Sequence, residues 1–220
     1  MTDELPHRLG RLVQHDPRSR GYPARAAAAP RPLVSKTWRR YGATLDQGDL
    51  GACTGYAMTH GLNTAPLRVA GPTHTHTTAV NLYSEATTLD AFPGVYPPVD
   101  TGSSGLAVCK AAQARKLITS YRWAFGLQQT LQALLDGPVL VGTMWTERMF
   151  YPNSAGVVTV GGAEVGGHEY LAVGLDVRAK TCVFVNSWGP GWGVNGRFAM
   201  TWESLEFLLG EQGDAVQPIR

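Results

Sequence analysis

The order of the predicted elements favours an α+β protein with two lobes, because helical patterns fill the first half of the chain and strand patterns fill the second half. A chain of 220 residues with 44% hydrophobic residues can bury one large core, or two smaller lobes that share a cleft. Its 26 glycines and 14 prolines indicate that many turns connect short elements.

Four helices are predicted in the first half, from apolar residues at helical spacing and from the turn residues that bound them. They cover residues 53–63, 81–89, 106–118 and 127–136. The third helix places Leu106 and Cys109 on one apolar stripe, and Gly137-Pro138 ends the fourth. A loop rich in Pro and Gly, residues 92–105, separates the second helix from the third.

Five strands are predicted after residue 137, where the sequence becomes rich in Val, Phe and Trp between turn residues. They cover residues 139–145, 156–160, 169–176, 181–186 and 197–202. Since helices and strands are gathered in different halves, we expect one mainly helical lobe and one mainly β lobe.

A basic, extended arm precedes all of these elements. Residues 1–43 are rich in Arg, Pro and Ala, and residues 1–40 carry nine Arg or Lys against three acids, whereas the whole chain has a formal net charge of only +2. Such an arm can bind an anionic surface or lie against the acidic remainder of its own chain, and we favour the second interpretation. The low overall charge argues against a dedicated nucleic-acid binder.

The cysteine content and the N-terminal residues predict a cytoplasmic protein. Residues 1–10 contain acids and no apolar run, so they do not resemble a secretory signal, and no apolar stretch is long enough to span a membrane. Three cysteines do not make a disulfide framework, which is typical of a reducing compartment. Export by another route stays open.

Cys53 is the candidate nucleophile, because it begins a predicted helix behind small residues. A thiol becomes a strong nucleophile as a thiolate, and the N-terminal end of a helix stabilises that anion. Taken alone, such a cysteine is more often a buried core residue. The preceding Gln47-Gly48 pair and the small Gly51 and Ala52, which leave room for a substrate backbone, favour the catalytic interpretation.

His168 and Asn186 are the candidates for the acid/base and for the residue that orients it. His168 precedes a predicted strand and Asn186 ends the next one, so an imidazole N–H can donate to the carboxamide oxygen. Taken alone, such a histidine is a surface group and such an asparagine is a turn former. The string NSWGPGWGVNG, residues 186–196, makes the pair specific, and its Trp188 can shield the hydrogen bond from water.

Gln47, six residues before Cys53, is the candidate oxyanion donor. Its NH2 group and the backbone N–H of Cys53 together form a two-donor oxyanion hole. Losing one such donor typically lowers the rate about 100- to 1,000-fold. The four residues together predict thiol-dependent acyl transfer.

These blocks resemble the papain family of cysteine peptidases. The matching residues are QGDLGAC at 47–53, Gly167-His168 before a strand, and NSWG at 186–189. His168 follows Cys53 by 115 residues and Asn186 follows it by 133, which indicates a compact member of that family. A compact form without a long propeptide is similar to papain-like peptidases of bacteria and their phages. The resemblance covers roughly residues 44–202.

The resemblance implies a papain-like two-lobe α+β fold, in which the active-site cleft lies between a helical lobe and a β-barrel-like lobe. We expect the basic arm at residues 1–43 and a peptidase domain at 44–220. Within that domain, 44–120 would be mainly helical and would carry Cys53, whereas 121–220 would be mainly β.

The activity that the resemblance implies is that of a cysteine endopeptidase, acting through an acyl-enzyme on Cys53. His168 would be the acid/base, Asn186 would orient it, and Gln47 would stabilise the oxyanion. We expect a monomer that acts on a peptide or protein, without cofactor, metal, membrane or specific nucleic-acid partner. Two alternatives stay open: an inactive papain-like binding or structural protein, and an amidase or ligase acting on cell-wall peptides.

The chain also departs from the family pattern. Leu50 stands where the family usually has a cysteine, and Thr54 replaces the usual aromatic residue after the nucleophile. The stretch before Gln47 is too short for a long inhibitory propeptide, so we expect any latency to come from elsewhere. The candidate substrate-binding residues are Gly102, Ser103, Ser104 and Trp188.

Weaker signals have ordinary interpretations. His74 and His76 alternate in a threonine-rich stretch, but no third metal ligand is evident, so we interpret them as part of a polar loop or edge. Cys109 and Cys182 fall in an apolar helix and strand, which predicts that both pack in the core.

Overall fold

The computed structural model describes residues 5–12, 16–23 and 30–220. Within those ranges, five α-helices pack around one sheet of seven strands. The helices are α1 Cys53–Leu62, α2 His76–Leu89, α3 Gly105–Ala114, α4 Leu127–Leu134 and α5 Trp202–Gly210. The strands are β1 Lys36–Thr37, β2 Ser120–Ala124, β3 Val139–Thr146, β4 Glu164–Asp176, β5 Thr181–Val185, β6 Arg197–Thr201 and β7 Asp214–Ile219. Two short 3-10 helices cover Pro17–Gly21 and Glu147–Phe150.

The sheet is a layer between two groups of helices. Its strands run β2-β7-β3-β4-β5-β6, with β1 added beside β4, and all neighbours are antiparallel. Successive side chains of a strand point to opposite faces. Leu140 on β3 therefore packs with Leu171 against helices α1–α3, whereas Val141 packs with Tyr170 against α4 and α5. The described strands β2 and β6 lie at opposite ends, so the sheet is open, not the closed barrel that a β-barrel-like lobe suggests.

Helix α1 is buried on every side, and no side chain caps the backbone N–H groups of its first turn. All ten of its residues are buried, as is typical of a helix without a polar face. Ala52 precedes the helix without a side-chain cap, which leaves first-turn N–H groups for other acceptors. The carboxylate of Asp100 fixes the approach to the helix, since it accepts from Gly51 N–H at 2.8 Å and from Tyr83 O–H at 2.5 Å.

The four predicted helices are present with shifted ends, and a fifth was not predicted. Helix α2 begins at His76 instead of residue 81, and α3 ends at Ala114 instead of residue 118. The sequence pattern places Trp202 in the preceding strand, but this residue begins α5, because Thr201 caps the helix by accepting from the Ser204 N–H at 3.2 Å. In the part of the chain that the structure describes, no helix is long and apolar enough to cross a membrane.

The predicted strand at 156–160 is wrong. The side chain of Asn153 accepts from the backbone N–H groups of Ala155 and Val157, which builds a turn here. Among the residues that the structure describes, an isolated bridge from Val157 to Ala199 connects this stretch to the sheet.

The predicted start of the strand at residue 169 is also wrong. Strand β4 begins at Glu164, because the backbone of Gly166 and Gly167 continues the ladder opposite β3. His168 therefore lies inside a paired strand, opposite Thr143, instead of at its rim. Strands β1, β2 and β7 were not predicted.

Candidate active site

Cys53 is the first residue of helix α1, and its side chain is fully buried. Its Sγ accepts a hydrogen bond from the backbone N–H of Glu169 at 3.4 Å. Burial raises the pKa of the Cys53 thiol to about 12, although the Glu169 N–H and the Arg11 guanidinium both act in the opposite direction. With the site covered in this way, the thiol is uncharged near neutral pH.

The structure brings His168 and Asn186 together in the interior. His168 Nε2 lies 2.7 Å from Asn186 Oδ1, which also accepts from the Ser187 N–H at 2.8 Å. Since a carboxamide oxygen can only accept, Nε2 carries the proton. Burial lowers the pKa of His168 to about 4, while the hydrogen bond to Asn186 acts to raise it. The imidazole is therefore neutral and fixed in one tautomer.

Strand β4 also brings the backbone that follows His168 into contact with the thiol. His168 and Glu169 are consecutive residues, and the Glu169 N–H contacts Cys53 Sγ. Among the described residues, His168 Nδ1 has no hydrogen-bond partner, so no direct hydrogen bond joins the imidazole to the thiol. Nδ1 is the ring nitrogen that remains available to exchange a proton.

Two indoles enclose the His168–Asn186 pair. The ring of Trp188 stacks on His168 with the centroids 4.6 Å apart and the planes 21° from parallel. Trp145 meets the same imidazole edge-on at 5.0 Å. Because water is excluded from this part of the site, the hydrogen bond lies in a low local dielectric, which strengthens it.

Gln47 is buried and forms hydrogen bonds with Ser187, the residue that follows Asn186. Its Oε1 accepts from Ser187 Oγ, and its backbone N–H donates to the Ser187 carbonyl at 2.8 Å. One N–H of its NH2 group donates to the Leu50 carbonyl at 2.8 Å. An NH2 group has two hydrogens, so one donor remains for an oxyanion.

The N-terminal segment, residues 5–12, covers Cys53. The N–H groups of Gly10 and Arg11 donate to the Gly167 carbonyl at 3.2 and 3.0 Å. On the other side, the Leu12 N–H donates to the Ser103 carbonyl at 3.1 Å, and the Ser103 N–H donates to the Gly10 carbonyl at 2.9 Å. The segment thus occupies the hydrogen-bonding backbone groups of Gly167 and Ser103 beside the predicted nucleophile. We expected latency to come from outside the arm, whereas residues 5–12 of the arm pair with the backbone on both sides of the buried thiol.

The predicted substrate-binding residues divide between this contact and structural roles. Ser103 is the one whose backbone pairs with the N-terminal segment on both sides. Gly102 donates its N–H to Tyr83 Oη at 2.9 Å, and Ser104 caps helix α3 by accepting from the Ala107 N–H at 3.3 Å. Substrate binding by Gly102, Ser103, Ser104 and Trp188 stays a prediction.

Close packing on both sides holds the N-terminal segment in place. The ring of His7 stacks on Trp188 with centroids 4.6 Å apart, and the Trp188 indole N–H donates to the Arg8 carbonyl at 3.1 Å. Leu9 joins the hydrophobic core. A Cβ at Gly10 would overlap the backbone of Gly51, two residues before Cys53, so only glycine fits there.

Arg11 is the site residue that sequence reasoning missed. Its side chain is 2% exposed and donates to Asp214 Oδ1 at 2.9 Å and to the Gln212 carbonyl at 3.1 Å. Its Nε also lies 3.6 Å from Glu169 Oε2. The available signal was Glu169 itself, since an acid beside apolar strand residues indicates a buried charge that needs a cation.

The weaker sequence signals behave as structural residues. Cys109 and Cys182 are buried free thiols, which confirms the prediction of core packing. The imidazole of His76 hydrogen-bonds to Tyr56 Oη, and the backbone of His74 is held by the side chain of Asn63. Across the residues that the structure describes, no three His, Cys, Asp or Glu side chains gather as a metal site would require.

Comparison with known proteins places the fold in a family. The model for the papain family cysteine proteases matches residues 72–209. The match includes His168 and Asn186, whereas Cys53 and Gln47 precede it. A relative, an uncharacterized peptidase C1-like protein of Acanthamoeba polyphaga mimivirus, is 34% identical over 83 residues, covering 35% of this chain. The chain matches only 27% of the length of that relative.

Solved structures share the fold at low sequence identity. Xylellain, a cysteine protease from Xylella fastidiosa, superposes with a TM-score of 0.74 at 16% identity, covering 100% of this chain and 99% of that one. Digestive procathepsin L2 from Tenebrio molitor larval midgut gives 0.68 at 19% identity, covering 97% and 78%. A Carica candamarcensis cysteine protease in complex with E-64 gives 0.62 at 18% identity, covering 86% and 99%. At these identities, the likeness shows the fold.

Proposed function

Because the chain belongs to the papain family of cysteine proteases, we propose that it hydrolyses peptide bonds through an acyl-enzyme formed on Cys53. The observation that carries the proposal is the 2.7 Å hydrogen bond between His168 Nε2 and Asn186 Oδ1. The next residue of the same strand, Glu169, donates its backbone N–H to Cys53 Sγ. A thiol, an oriented imidazole and a helix N-terminus together suit nucleophilic catalysis.

The proposed reaction has two halves. His168 Nδ1 takes the proton of the Cys53 thiol, and Sγ attacks the carbonyl carbon, forming the carbon–sulfur bond. The imidazolium then returns the proton to the leaving amine as the carbon–nitrogen bond breaks. Water attacks the thioester with His168 as base, which releases the carboxylic acid and restores the thiol.

The oxyanion of each tetrahedral intermediate needs donors that are fixed in advance. Two support this role: the backbone N–H of Cys53, at a helix start without a side-chain cap, and the remaining N–H of the Gln47 carboxamide. The bonds from Gln47 to Ser187 hold this carboxamide in one orientation, so that it loses little freedom when the oxyanion forms.

Cleavage inside a chain, the endopeptidase reaction, is supported by the path of the N-terminal segment. This continuous stretch passes from Trp188, where His7 stacks, over Gly51 and on to Ser103. An extended peptide can therefore continue beyond the proposed nucleophile in both directions. The same path implies that residues 7–12 must move aside before a substrate can bind.

Cleavage of peptides with blocked ends tests the function directly. The full-length chain and a Gly10→Ala variant, which displaces the N-terminal segment by steric overlap, are incubated with acetylated and amidated peptides under reducing conditions. We expect internal cleavage by the Gly10→Ala chain, loss of all cleavage when Cys53→Ala is added, and no loss with the matched Cys109→Ala. Cleavage that survives Cys53→Ala would remove the proposal.

A further inference from the structure

Two buried carboxylates lie beside the proposed nucleophile on neighbouring strands. Strand β3 runs between β4 and β7, and Gly142 on β3 lies opposite both Glu169 and Asp214. Residues directly opposite each other in a sheet share a face. The two acids therefore flank a position that has no side chain, and this position becomes the floor of a pocket.

Missing side chains keep this pocket open. A Cβ at Gly142 would overlap Nε of Arg11 and Oε2 of Glu169. A Cβ at Gly105, the first residue of α3, would come within 2.9 Å of Glu169 Oε1. Glycine at both positions leaves the room that a long, flat side chain needs.

The polar groups of the pocket suit a guanidinium. Asp214 Oδ1 and the Gln212 carbonyl accept from one nitrogen of Arg11, and Glu169 Oε2 lies 3.6 Å from another. The Trp123 indole N–H donates to Asp214 Oδ2 at 3.2 Å and holds that carboxylate in place. The planar guanidinium of arginine carries several N–H donors and can reach such acceptors at the same time, whereas the ammonium of lysine is a single point charge.

Glu169 still has unused hydrogen-bonding capacity. Its side chain is 1% exposed, and neither of its carboxylate oxygens has a hydrogen-bond partner among the described residues. Burial raises the pKa of Glu169 well above its ordinary value, with Asp214 adding to the effect and Arg11 opposing it. A cation that approaches Glu169 more closely than Arg11 does gains a charge-assisted hydrogen bond.

The pocket lies where a substrate side chain would enter. The backbone of Arg11 lies between the backbones of Gly167 and Ser103 and bridges to both. The Glu169 N–H, on the same strand as Gly167, contacts Cys53 Sγ. A substrate peptide that replaces the N-terminal segment between Gly167 and Ser103 would direct one of its side chains into the pocket that Arg11 now fills.

We propose that Glu169, Asp214 and Gly142 form a specificity pocket for a guanidinium, so that the enzyme selects substrates with arginine at one fixed position near the scissile bond. Arg11 of the chain's own N-terminal segment fills this pocket when the site is closed. The proposal rests on the peptidase function proposed above, and it adds the substrate class.

The test compares arginine with citrulline, which has the same shape but no charge. Full-length chain carrying Arg11→Ala, with Arg8→Ala as the matched control, is given blocked peptides that differ only in arginine, citrulline or lysine. We expect kcat/KM for the arginine peptide to exceed that for the citrulline peptide about 100-fold, with lysine between them. Adding Glu169→Gln should reduce this ratio about tenfold or more.

A second readout separates the pocket from the chemistry. The same peptides are tested for their ability to protect Cys53 from iodoacetamide, which requires binding but no turnover. Cleavage at equal rates for arginine and citrulline would overturn the pocket and leave the proposed function intact. Protection by arginine alone, without any cleavage, would support the pocket and overturn the function. Neither cleavage nor protection would overturn both.

Discussion

The guanidinium of Arg11 donates a 2.9 Å hydrogen bond to the carboxylate of Asp214, 203 positions later in the chain. This buried pair joins the N-terminal segment to the first residue of the last strand, β7, beside the proposed nucleophile. Removing one partner of a buried ion pair leaves a charge without compensation, which is costly. Docking of the segment therefore places a cation beside the buried carboxylate of Asp214, and in this structure the proposed nucleophile is covered.

Displacing the N-terminal segment should expose Cys53. Gly10→Ala places a methyl group against the Gly51 backbone, and such overpacking typically costs about 1–3 kcal/mol. We expect the rate of iodoacetamide labelling at Cys53 to rise roughly 5- to 150-fold, since each 1.4 kcal/mol changes a population about tenfold. The matched control is Gly21→Ala, where a Cβ meets nothing within 4 Å. Equal labelling of the two variants would show that the segment does not limit access.

The pH dependence of that labelling should move in a defined direction. Burial raises the pKa of Cys53 to about 12, so the thiol is protonated at pH 7 in the covered chain. Opening the site hydrates the thiolate and lowers this pKa, although it also removes Arg11, which favours the anion, and leaves Glu169, which disfavours it. Burial is the largest cause, so the labelling profile of Gly10→Ala should shift to lower pH. A labelling profile shifted to higher pH would contradict burial as the largest cause of the raised pKa of Cys53.

Gln47, Cys53 and Asn186 could be proposed from sequence because each lies in a short, distinctive string, whereas His168 was proposed from its place between those strings. Gln47 and Cys53 are six residues apart at a helix start, and Asn186 begins a run with two tryptophans among four glycines. Local patterns of this kind do not depend on the rest of the fold. The expected hydrogen bond between His168 and Asn186 is present, and the pairing of strands β4 and β5 brings the two residues together.

The covering segment and its pocket could not be predicted, because both depend on contacts between distant parts of the chain. Arg11 looked like one basic residue among nine in the arm. Its partners become neighbours only through the pairing of Gly142 with β4 and with β7. Strand β7 itself was hidden, since Gln217 and Pro218 give it little strand character.

Loss of the Asn186 carboxamide should impair turnover more than folding. Asn186→Ala removes the acceptor that fixes the His168 tautomer, and acid–base catalysis of this kind contributes typically about 10²–10⁴-fold. We expect kcat in the Gly10→Ala background to fall about 100-fold or more, with KM little changed. Asn81→Ala, on the exposed face of helix α2, is the matched control. A drop confined to KM would indicate a binding role instead.

Gln47 has two separable tasks, stabilising an oxyanion and anchoring its loop. Gln47→Ala removes both and should lower kcat about 100- to 1,000-fold. Ser187→Ala removes only the side-chain anchor at Oε1, so we expect a much smaller effect. Gln128→Ala, at an exposed position of helix α4, controls for the loss of a glutamine. Equal losses from Gln47→Ala and Ser187→Ala would reduce Gln47 to a structural role.

Trapping of the acyl-enzyme tests the central claim most directly. Gly10→Ala protein is mixed with a blocked peptide ester, quenched in acid within the first turnover, and its intact mass and digested peptides are measured. We expect one acyl group per chain, attached to Cys53, and none in the Cys53→Ala variant. Hydrolysis that proceeds with no adduct, or with the adduct on Cys109 or Cys182, would contradict the assignment of Cys53 as the nucleophile.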